Sequence, residues 1–330
     1  MNRETEKMLA LFAENVQLIK QEFIWHNAMT KRLAALFYAQ ADKQVDCGAM
    51  RRCHDLVKQN AGVFSYIRGN MALTIDALLS LSDSPEELLG ETLNVYCLLK
   101  AARFNASDYL VVAAYLIAER ASTEQYLNVI SRARTFYDGM KKYHRFYTSH
   151  DDFIYSAMLG LSDLDPQSSA DGIERLYQRL KDDFWDKNSV QGLAEVLILG
   201  GESIDVSQRI RTLRSSLRER KLRLDKSYTL PMLGVLALLP VDAETIGSDI
   251  IEARNYLRTQ KGFGSISVTT QEILLYSAAI VASEYAGNIK DGITTATIST
   301  SITNIIIAQQ AAMIAAASAH ATATTAVSSQ

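Results

Sequence analysis

ALLSLSD at Ala77–Asp83 is the first of six related blocks that decide the fold of this chain. Each block has seven small, mostly apolar residues, and successive blocks start 37, 43, 38, 39 and 44 residues apart. The other five blocks are AYLIAER (Ala114–Arg120), AMLGLSD (Ala157–Asp163), EVLILGG (Glu195–Gly201), GVLALLP (Gly234–Pro240) and AAIVASE (Ala278–Glu284). Self-similarity at about 40 residues is typical of stacked helical repeats. The blocks therefore predict an all-α repeat protein.

Each block is interpreted as the end of the second helix of a hairpin, and the first helix of the next hairpin follows it. Helix starts are indicated by Asp46, by Ser84 before Pro85, and by the capping pairs Ser122 with Gln125 and Thr269 with Glu272. The first helices are predicted at Pro85–Phe104, Thr123–Phe146, Ala170–Trp185, Val206–Leu222 and Ala243–Thr259. About fourteen helices are expected. The predicted architecture is an open right-handed α-solenoid with HEAT-like spacing, and a closed α/α toroid is the alternative.

Composition excludes several classes of protein. The 330 residues carry a net charge of −3, which gives no overall attraction to nucleic acid or to an anionic membrane. Three irregularly placed cysteines do not predict a disulfide framework, and Cys97, within a helix, is expected to be a core thiol. The first 21 residues are charged throughout and predict an amphipathic helix rather than a secretory signal. The cytoplasm is the expected location.

Three regions are predicted along the chain. Residues 1–60 are expected to form an N-terminal helical cap, and residues 61–291 the helical-hairpin repeats. Residues 292–330 contain no Asp, Glu, Lys or Arg and are rich in Ala, Ile and Thr. This region is expected to form a helix that closes the last repeat or joins two copies in a homodimer, with a disordered end at 321–330. A membrane segment is a third interpretation, although the best window, Ile302–His320, is too polar to favour it.

The motifs of enzymes and metal sites are missing from the sequence. It contains no HExxH, GxSxG, GxxxxGK[ST], GxGxxG or CxxC motif. Cys47, Cys53 and His54 lack the usual spacing of zinc ligands. The acids of His150-Asp151-Asp152 are explained by their position at the start of a helix, where negative charge is favourable. No catalytic residue, cofactor or metal is predicted.

One predicted helix carries a concentration of basic residues. The run RIRTLRSSLRERKLR, Arg209–Arg223, places Arg211, Arg214, Arg218 and Lys221 along one exposed face. Such a face could follow the phosphates of a nucleic acid. Because no aromatic residues alternate with these charges and neighbouring helices are mixed in charge, a solvated face or an acidic protein partner is the favoured interpretation.

The turns between the first and second helices are rich in aromatic residues. In a stack of hairpins these turns lie along one edge, so aromatic and polar side chains are brought together there. Aromatic side chains flanked by polar groups suit a binding surface, and the alternative is that they plug the ends of the hairpins. The candidate partner-binding edge comprises Phe104, Asp108, Phe146, Tyr147, His150, Trp185, Lys187 and Tyr228.

Three stretches of the sequence carry a resemblance to a known family. They are TEKMLALFAENVQLIKQEFIWHNAMTKRLAALFYAQADKQVD (Thr5–Asp46), SDYLVVAAYLIAE (Ser107–Glu119) and NIIIAQQAAMIAAASA (Asn304–Ala319). With them the chain resembles an uncharacterised family of Gram-positive bacteria, the domain of unknown function number four thousand and three. The resemblance covers the whole chain and implies that the tail belongs to the protein. It brings no activity, cofactor or site residue with it.

The function predicted from these observations is that of a protein or peptide interaction module, because repeat arrays present extended surfaces and the motif search yields no reaction centre. The alternative is an enzyme or small-ligand-binding protein with a cavity in a closed toroid. The predicted partner is a protein or peptide. Nucleic acid and membrane partners are not favoured.

Overall fold

The computed structural model describes residues 1–62, 65–201 and 205–287, and these residues form helices and turns without a strand. The predicted C-terminal helix, within 292–330, lies outside the described residues. Fourteen α-helices are present in the described part of the chain: α1 (Arg3–Glu22), α2 (Ala28–Gln40), α3 (Cys47–Asn60), α4 (Ala72–Ser80), α5 (Pro85–Ala101), α6 (Asp108–Arg120), α7 (Tyr126–Tyr143), α8 (Asp152–Leu161), α9 (Pro166–Leu180), α10 (Lys187–Leu199), α11 (Val206–Glu219), α12 (Leu230–Leu238), α13 (Ala243–Thr259) and α14 (Thr270–Gly287). The prediction of an all-α fold of about fourteen helices is confirmed.

The helices alternate between two kinds. The even-numbered helices are almost wholly buried, and all but α14 are short; in α10, for example, every residue from Ser189 to Leu199 is buried. The odd-numbered helices bury only one stripe, as in α13 with Ile246, Ile250 and Leu257. Each odd-numbered helix contacts the next odd-numbered one, and each even-numbered helix contacts the next even-numbered one, except that α4 and α6 are linked through the turn Ser65–Arg68, which packs against both. The even-numbered helices are therefore an inner layer and the odd-numbered helices an outer layer.

Most helix starts follow the predicted capping, but Ser84, which precedes Pro85 at the start of α5, makes no side-chain capping hydrogen bond. Asp46 accepts a hydrogen bond from the backbone of Ala49, and the backbone of Ser122 donates to Gln125 Oε1 at 3.0 Å. Several helices end earlier than predicted, because the aromatic residues that were expected to end them lie in the turns that follow. The short helix α9 also starts earlier, at Pro166, with Asp165 as its N-cap.

The first 60 residues pack in the same way as the rest of the chain. Helices α1 and α2 form a hairpin, and α3 packs against α4, which lies beyond residue 60. The prediction for Cys97 is wrong, since this thiol is exposed on α5. A helix-period pattern places a residue on one side of a helix, and here Cys97 falls between the buried Tyr96 and Leu99 and outside the buried stripe.

The first and last hairpins contact each other. Helix α1 packs against α13 and α14, and α2 packs against α14. The Phe12 ring lies 5.3 Å from that of Phe263 and 5.1 Å from that of Tyr276, and Gln40 Nε2 donates to Ser283 Oγ at 2.8 Å. We call these contacts the seam; they join the first and last hairpins of the described residues.

A buried ion pair lies at the centre of the seam. Arg32 of α2 donates from Nε to Glu272 Oε1 at 2.6 Å and from Nη2 to Glu272 Oε2 at 3.1 Å. The Tyr276 hydroxyl donates to the same carboxylate at 3.2 Å. Arg32 and Glu272 are both buried, so the carboxylate depends on these donors in place of water.

Small-angle X-ray scattering should distinguish the two architectures. A compact chain of this length is expected to have a radius of gyration of about 20 Å. The seam predicts a value near this figure, because the first and last hairpins are held together. A clearly larger value with the profile of an elongated arc would contradict closure.

Candidate functional site

The candidate site is one end of the helical array, which we call the turn face. It consists of the connections from each outer helix to its inner partner: residues 23–27, 61–62 with 65–71, 102–107, 144–151, 181–186, 220–229 and 260–269. Because inner helices run parallel to one another, these connections all lie at the same end. The opposite face consists of the connections from inner to outer helices.

Exposed apolar side chains concentrate on the turn face. Among the described residues, nine large apolar side chains are exposed, and seven of them lie in turn-face connections. Tyr143 ends α7 at the same face, and Leu127, at the start of α7, lies at the other end. The seven are Ile24, Trp25, Tyr66, Phe146, Tyr147, Trp185 and Ile266. Apolar side chains gathered at one end in this way indicate an interaction surface.

The two faces also differ in charge. The described connections of the turn face hold nine Lys or Arg residues and five acids. Those of the opposite face, at 41–46, 81–84, 121–125, 162–165, 200–201 with 205, and 239–242, hold eight acids and one Lys. The net charge of the whole chain is negative, so it does not reveal the local excess of positive charge on the turn face.

The residues of the predicted partner-binding edge all lie at the turn face, and the structure separates them by exposure. Phe146 and Trp185 are 92% and 97% exposed, and Tyr147 and His150 are also exposed. Phe104 requires correction, since it is buried with its ring 5.1 Å from Phe153. It plugs the end of its hairpin, as the alternative interpretation proposed.

The polar residues of this edge make contacts within the chain. Lys187 donates from Nζ to the Phe184 carbonyl at 3.1 Å, and the Tyr228 hydroxyl donates to Gln271 Oε1 at 2.8 Å. Asp108, half-buried, accepts a long hydrogen bond of 3.4 Å from an asparagine amide of the neighbouring connection. Lys187 therefore braces its own connection, while Tyr228 ties connection 220–229 to the start of α14.

A pocket of about 310 Å³ opens between two turn-face connections. Trp185 forms one wall, Phe184 and Leu230 are buried beneath it, and Asp225 and Lys226 lie opposite. The Asp225 carboxylate is almost wholly buried and pairs with Arg214 and Arg218, so these ion pairs form part of the pocket wall.

The predicted basic face is largely paired with acids. Arg211 donates to Asp183 at 2.9 Å, and Arg214 and Arg218 both donate to Asp225. The Arg214 guanidinium also lies 4.6 Å from the centre of the Phe184 ring. These contacts tie α11 to the connections beside the pocket. Lys221, which lies in the turn after α11 with a φ of +60°, is exposed.

A pair of carboxyl groups is buried beneath the turn face, where α8 and α10 meet. Gln191 Nε2 lies 3.0 Å from both Asp152 Oδ1 and Glu195 Oε1, and it also contacts Thr148 Oγ1 at 3.2 Å. The backbone N–H of Ser149 donates to Asp152 Oδ2 at 2.6 Å. The Asp152 and Glu195 carboxyl groups also hydrogen-bond to each other. The chain therefore supplies most of the partners of this pair.

Burial changes the protonation of this pair. Burial raises the pKa of Asp152 well above its ordinary value, and the neighbouring Glu195 charge raises it further. Burial also raises the pKa of Glu195 to about 7, although hydrogen bonds from Gln191 and Asp152 oppose that shift. A protonated Asp152 that donates its O–H to Glu195 is the arrangement these shifts describe. The pair then carries no more than one negative charge.

Two groups of functional candidates were not predicted from the sequence. Asp152 was explained by its position at a helix start, and it does accept a backbone N–H there. Gln191 and Glu195, which contact it, were not predicted as site residues. Their signal is a polar pair four residues apart in an otherwise apolar helix. Ile24, Trp25 and Ile266 were also missed, since only exposure distinguishes them from core residues.

The metal candidates of the sequence are separated by their contacts. His54 Nδ1 lies 2.8 Å from the buried Asp76 Oδ2, and the His26 ring packs edge-on against the His54 ring at 5.6 Å. Burial raises the pKa of the Cys53 thiol to about 11, so the thiolate is disfavoured. No group of three His, Cys, Asp or Glu residues with metal-binding geometry occurs in the part of the chain that the structure describes.

Together, the two helical layers and the turn face define an all-α protein with exposed apolar side chains and an excess of basic residues at one end. The chain belongs to the family described as "Protein of unknown function (DUF4003)", whose model matches residues 15–311. Comparison with curated proteins and with solved structures found no match. In the described residues, no helix has the length and apolar character needed to cross a membrane.

Proposed function

We propose that this protein is an interaction module that binds a protein or peptide at the turn face, on the connections 144–151, 181–186 and 220–229. Trp185 carries the proposal, because a fully exposed tryptophan on the wall of a pocket is the kind of residue that dominates protein interfaces. We place the module in the cytoplasm, to which its three free cysteines are suited.

The pocket indicates how a peptide would be held. An apolar or aromatic side chain of the partner would pack on Trp185 above Phe184 and Leu230. Phe146 and Tyr147, on the neighbouring connection, would extend the contact.

The surrounding charges are mixed, as protein interfaces require. The three connections hold Lys and Arg residues together with Asp151, Asp182, Asp183, Asp186 and Asp225. Several of these charges are already paired, so the surface offers defined hydrogen-bond positions instead of a uniform field. A partner is therefore selected by local complementarity.

Selection of a displayed random-peptide library on the purified protein tests this proposal. We expect enriched peptides that share a motif, and we expect Trp185→Ser to weaken their binding by roughly tenfold or more, as for a hot-spot tryptophan. Leu127→Ser is the matched control, since Leu127 is an exposed apolar residue at the opposite end. Peptides that bind Trp185→Ser as tightly as the unmodified protein would contradict the proposal.

A further inference from the structure

A second apolar surface lies on the turn face beside the seam. Ile24 and Trp25 lie in connection 23–27, Tyr66 in connection 65–71 and Ile266 in connection 260–269. Trp25 and Ile266 are 96% and 102% exposed, so neither side chain contributes to the core. We call these four side chains the seam surface. The seam makes connections 23–27 and 260–269 neighbours, because α1 packs against α13 and α14; connection 65–71 lies on the other side of 23–27, because α1 also packs against α3 and α2 against α4.

These side chains are presented by turns that are anchored from within. Lys31 Nζ donates to the Ile24 carbonyl at 3.0 Å, and the adjacent Phe23 is buried. In the last connection, Arg258 Nη1 donates to the carbonyls of Phe263 and Val268 at 2.8 and 3.0 Å. Both turns are therefore held in place from within while their apolar side chains project into solvent. A side chain held outward in this way loses less conformational entropy when it binds.

Charge separates the seam surface from the peptide-binding region. The connections 23–27, 61–71 and 260–269 contain Arg68 and Lys261 and not one Asp or Glu. All five acids of the turn-face connections lie in the other half, at 144–151, 181–186 and 220–229. Lys20 and Lys58, at the ends of α1 and α3, are exposed beside the seam surface. The end of α1 also holds one exposed acid, Glu22, which is paired with Arg51. This half of the turn face is therefore apolar at its tips, with mainly basic residues around them.

We propose that the seam surface docks on the anionic surface of a lipid bilayer. Tryptophan and branched apolar side chains partition into the interface between headgroups and acyl chains, while neighbouring Lys and Arg attract anionic lipids. Apolar side chains that project separately from several connections at one end of the molecule fit a flat membrane surface better than the convex surface of a protein. The acidic opposite face would point away from the membrane. This inference rests on connections other than those of the proposed peptide site.

Co-sedimentation with vesicles tests the docking. The full chain is expected to bind vesicles of phosphatidylcholine with phosphatidylserine more tightly than vesicles of phosphatidylcholine alone. Salt should weaken this binding, since the Debye length falls to about 3 Å at about 1 M. The triple variant Ile24→Ser, Trp25→Ser, Ile266→Ser is expected to lose roughly tenfold or more in partition coefficient. Leu127→Ser, the control at the opposite end, should bind like the unmodified protein.

The two tryptophans of the chain allow the contact to be located. In Trp185→Phe, Trp25 is the only tryptophan, and its emission should shift to the blue and be quenched by brominated lipid when anionic vesicles are added. In Trp25→Phe, Trp185 should show a much smaller response. Circular dichroism melts should confirm that each variant is folded, as expected for changes at exposed positions.

Three results would overturn the inference. One is the absence of binding to anionic vesicles, and a second is equal binding to neutral vesicles. The third is sedimentation with vesicles that does not depend on the seam surface: either the Trp25 emission stays unchanged, or the triple variant sediments as the unmodified protein does. A seam surface that instead binds a protein would give the first of these results. Loss of peptide binding in Trp185→Ser would leave all three measurements unaffected, so the two proposals fail separately.

Discussion

Replacing Arg32 by Leu is expected to lower the free energy of unfolding by about 3–5 kcal/mol, the usual cost of removing one partner from a buried ion pair. Glu272 would remain buried with only the Tyr276 hydroxyl as a side-chain donor in place of the bidentate guanidinium. Because Arg32 lies on α2 and Glu272 on α14, the loss falls on the seam between the first and last hairpins. Chemical denaturation followed by circular dichroism measures the change.

The double variant Arg32→Leu, Glu272→Leu is the control for this experiment. Replacing both charges with apolar groups removes the uncompensated carboxylate, and such replacements of buried ion pairs are often neutral or stabilising. We therefore expect the double variant to recover most of the lost stability. A single variant as stable as the unmodified protein would show that the ion pair does not hold the seam. A double variant no more stable than the single one would show that packing, and not the stranded charge, sets the cost.

The second large effect concerns the Asp152–Glu195 pair. Burial raises the pKa of Glu195 from its ordinary value of 4.5 to about 7, so its stabilising contribution is present below about pH 4.5 and is lost as the pH rises through 7. The neutral Glu195→Gln avoids that loss. We expect its stability relative to the unmodified protein to improve by up to about 3 kcal/mol between pH 5 and pH 8.

Thermal or urea unfolding across this pH range measures the difference. Comparing the two proteins at each pH removes the contribution of the titrating groups that are common to both, except Asp152, whose pKa the Glu195 charge also raises. Glu87→Gln, at an exposed position of α5, should follow the unmodified protein at every pH. A constant difference between Glu195→Gln and the unmodified protein would mean that Glu195 does not titrate in this range.

The architecture could be predicted from the sequence because it depends on local patterns that repeat. The apolar blocks set the inner helices, and capping residues such as Asp46 and Ser122 set where helices start. The outer helices were predicted to end too far along the chain. An aromatic residue continues the apolar period of a helix whether it lies in the last helical turn or in the connection that follows, so the sequence does not separate the two cases. The edge of aromatic turn residues was predicted as a group, but its exposed and buried members were not distinguished.

The seam could not be predicted from the sequence, because it joins residues 240 positions apart. In the sequence, Arg32 has the pattern of a charged residue in an amphipathic helix, and Glu272 is one member of a predicted capping pair. Only the packing of α2 against α14 brings them within 2.6 Å. The same reason applies to Asp152 and Glu195, which lie on different helices and gain their shifted pKa values from burial.

The sequence by itself determined the helical class, the hairpin period and the end of the array at which aromatic residues collect, because each follows from spacing along the chain. The tertiary structure decided which of those side chains are exposed, since Phe104 is buried while Trp25, Phe146, Trp185 and Ile266 are fully open to solvent. It also decided that basic and acidic connections lie on opposite faces. The exposure of a side chain and the electrostatic field at a surface both depend on neighbours that are distant in sequence. Only the packed chain brings those neighbours together.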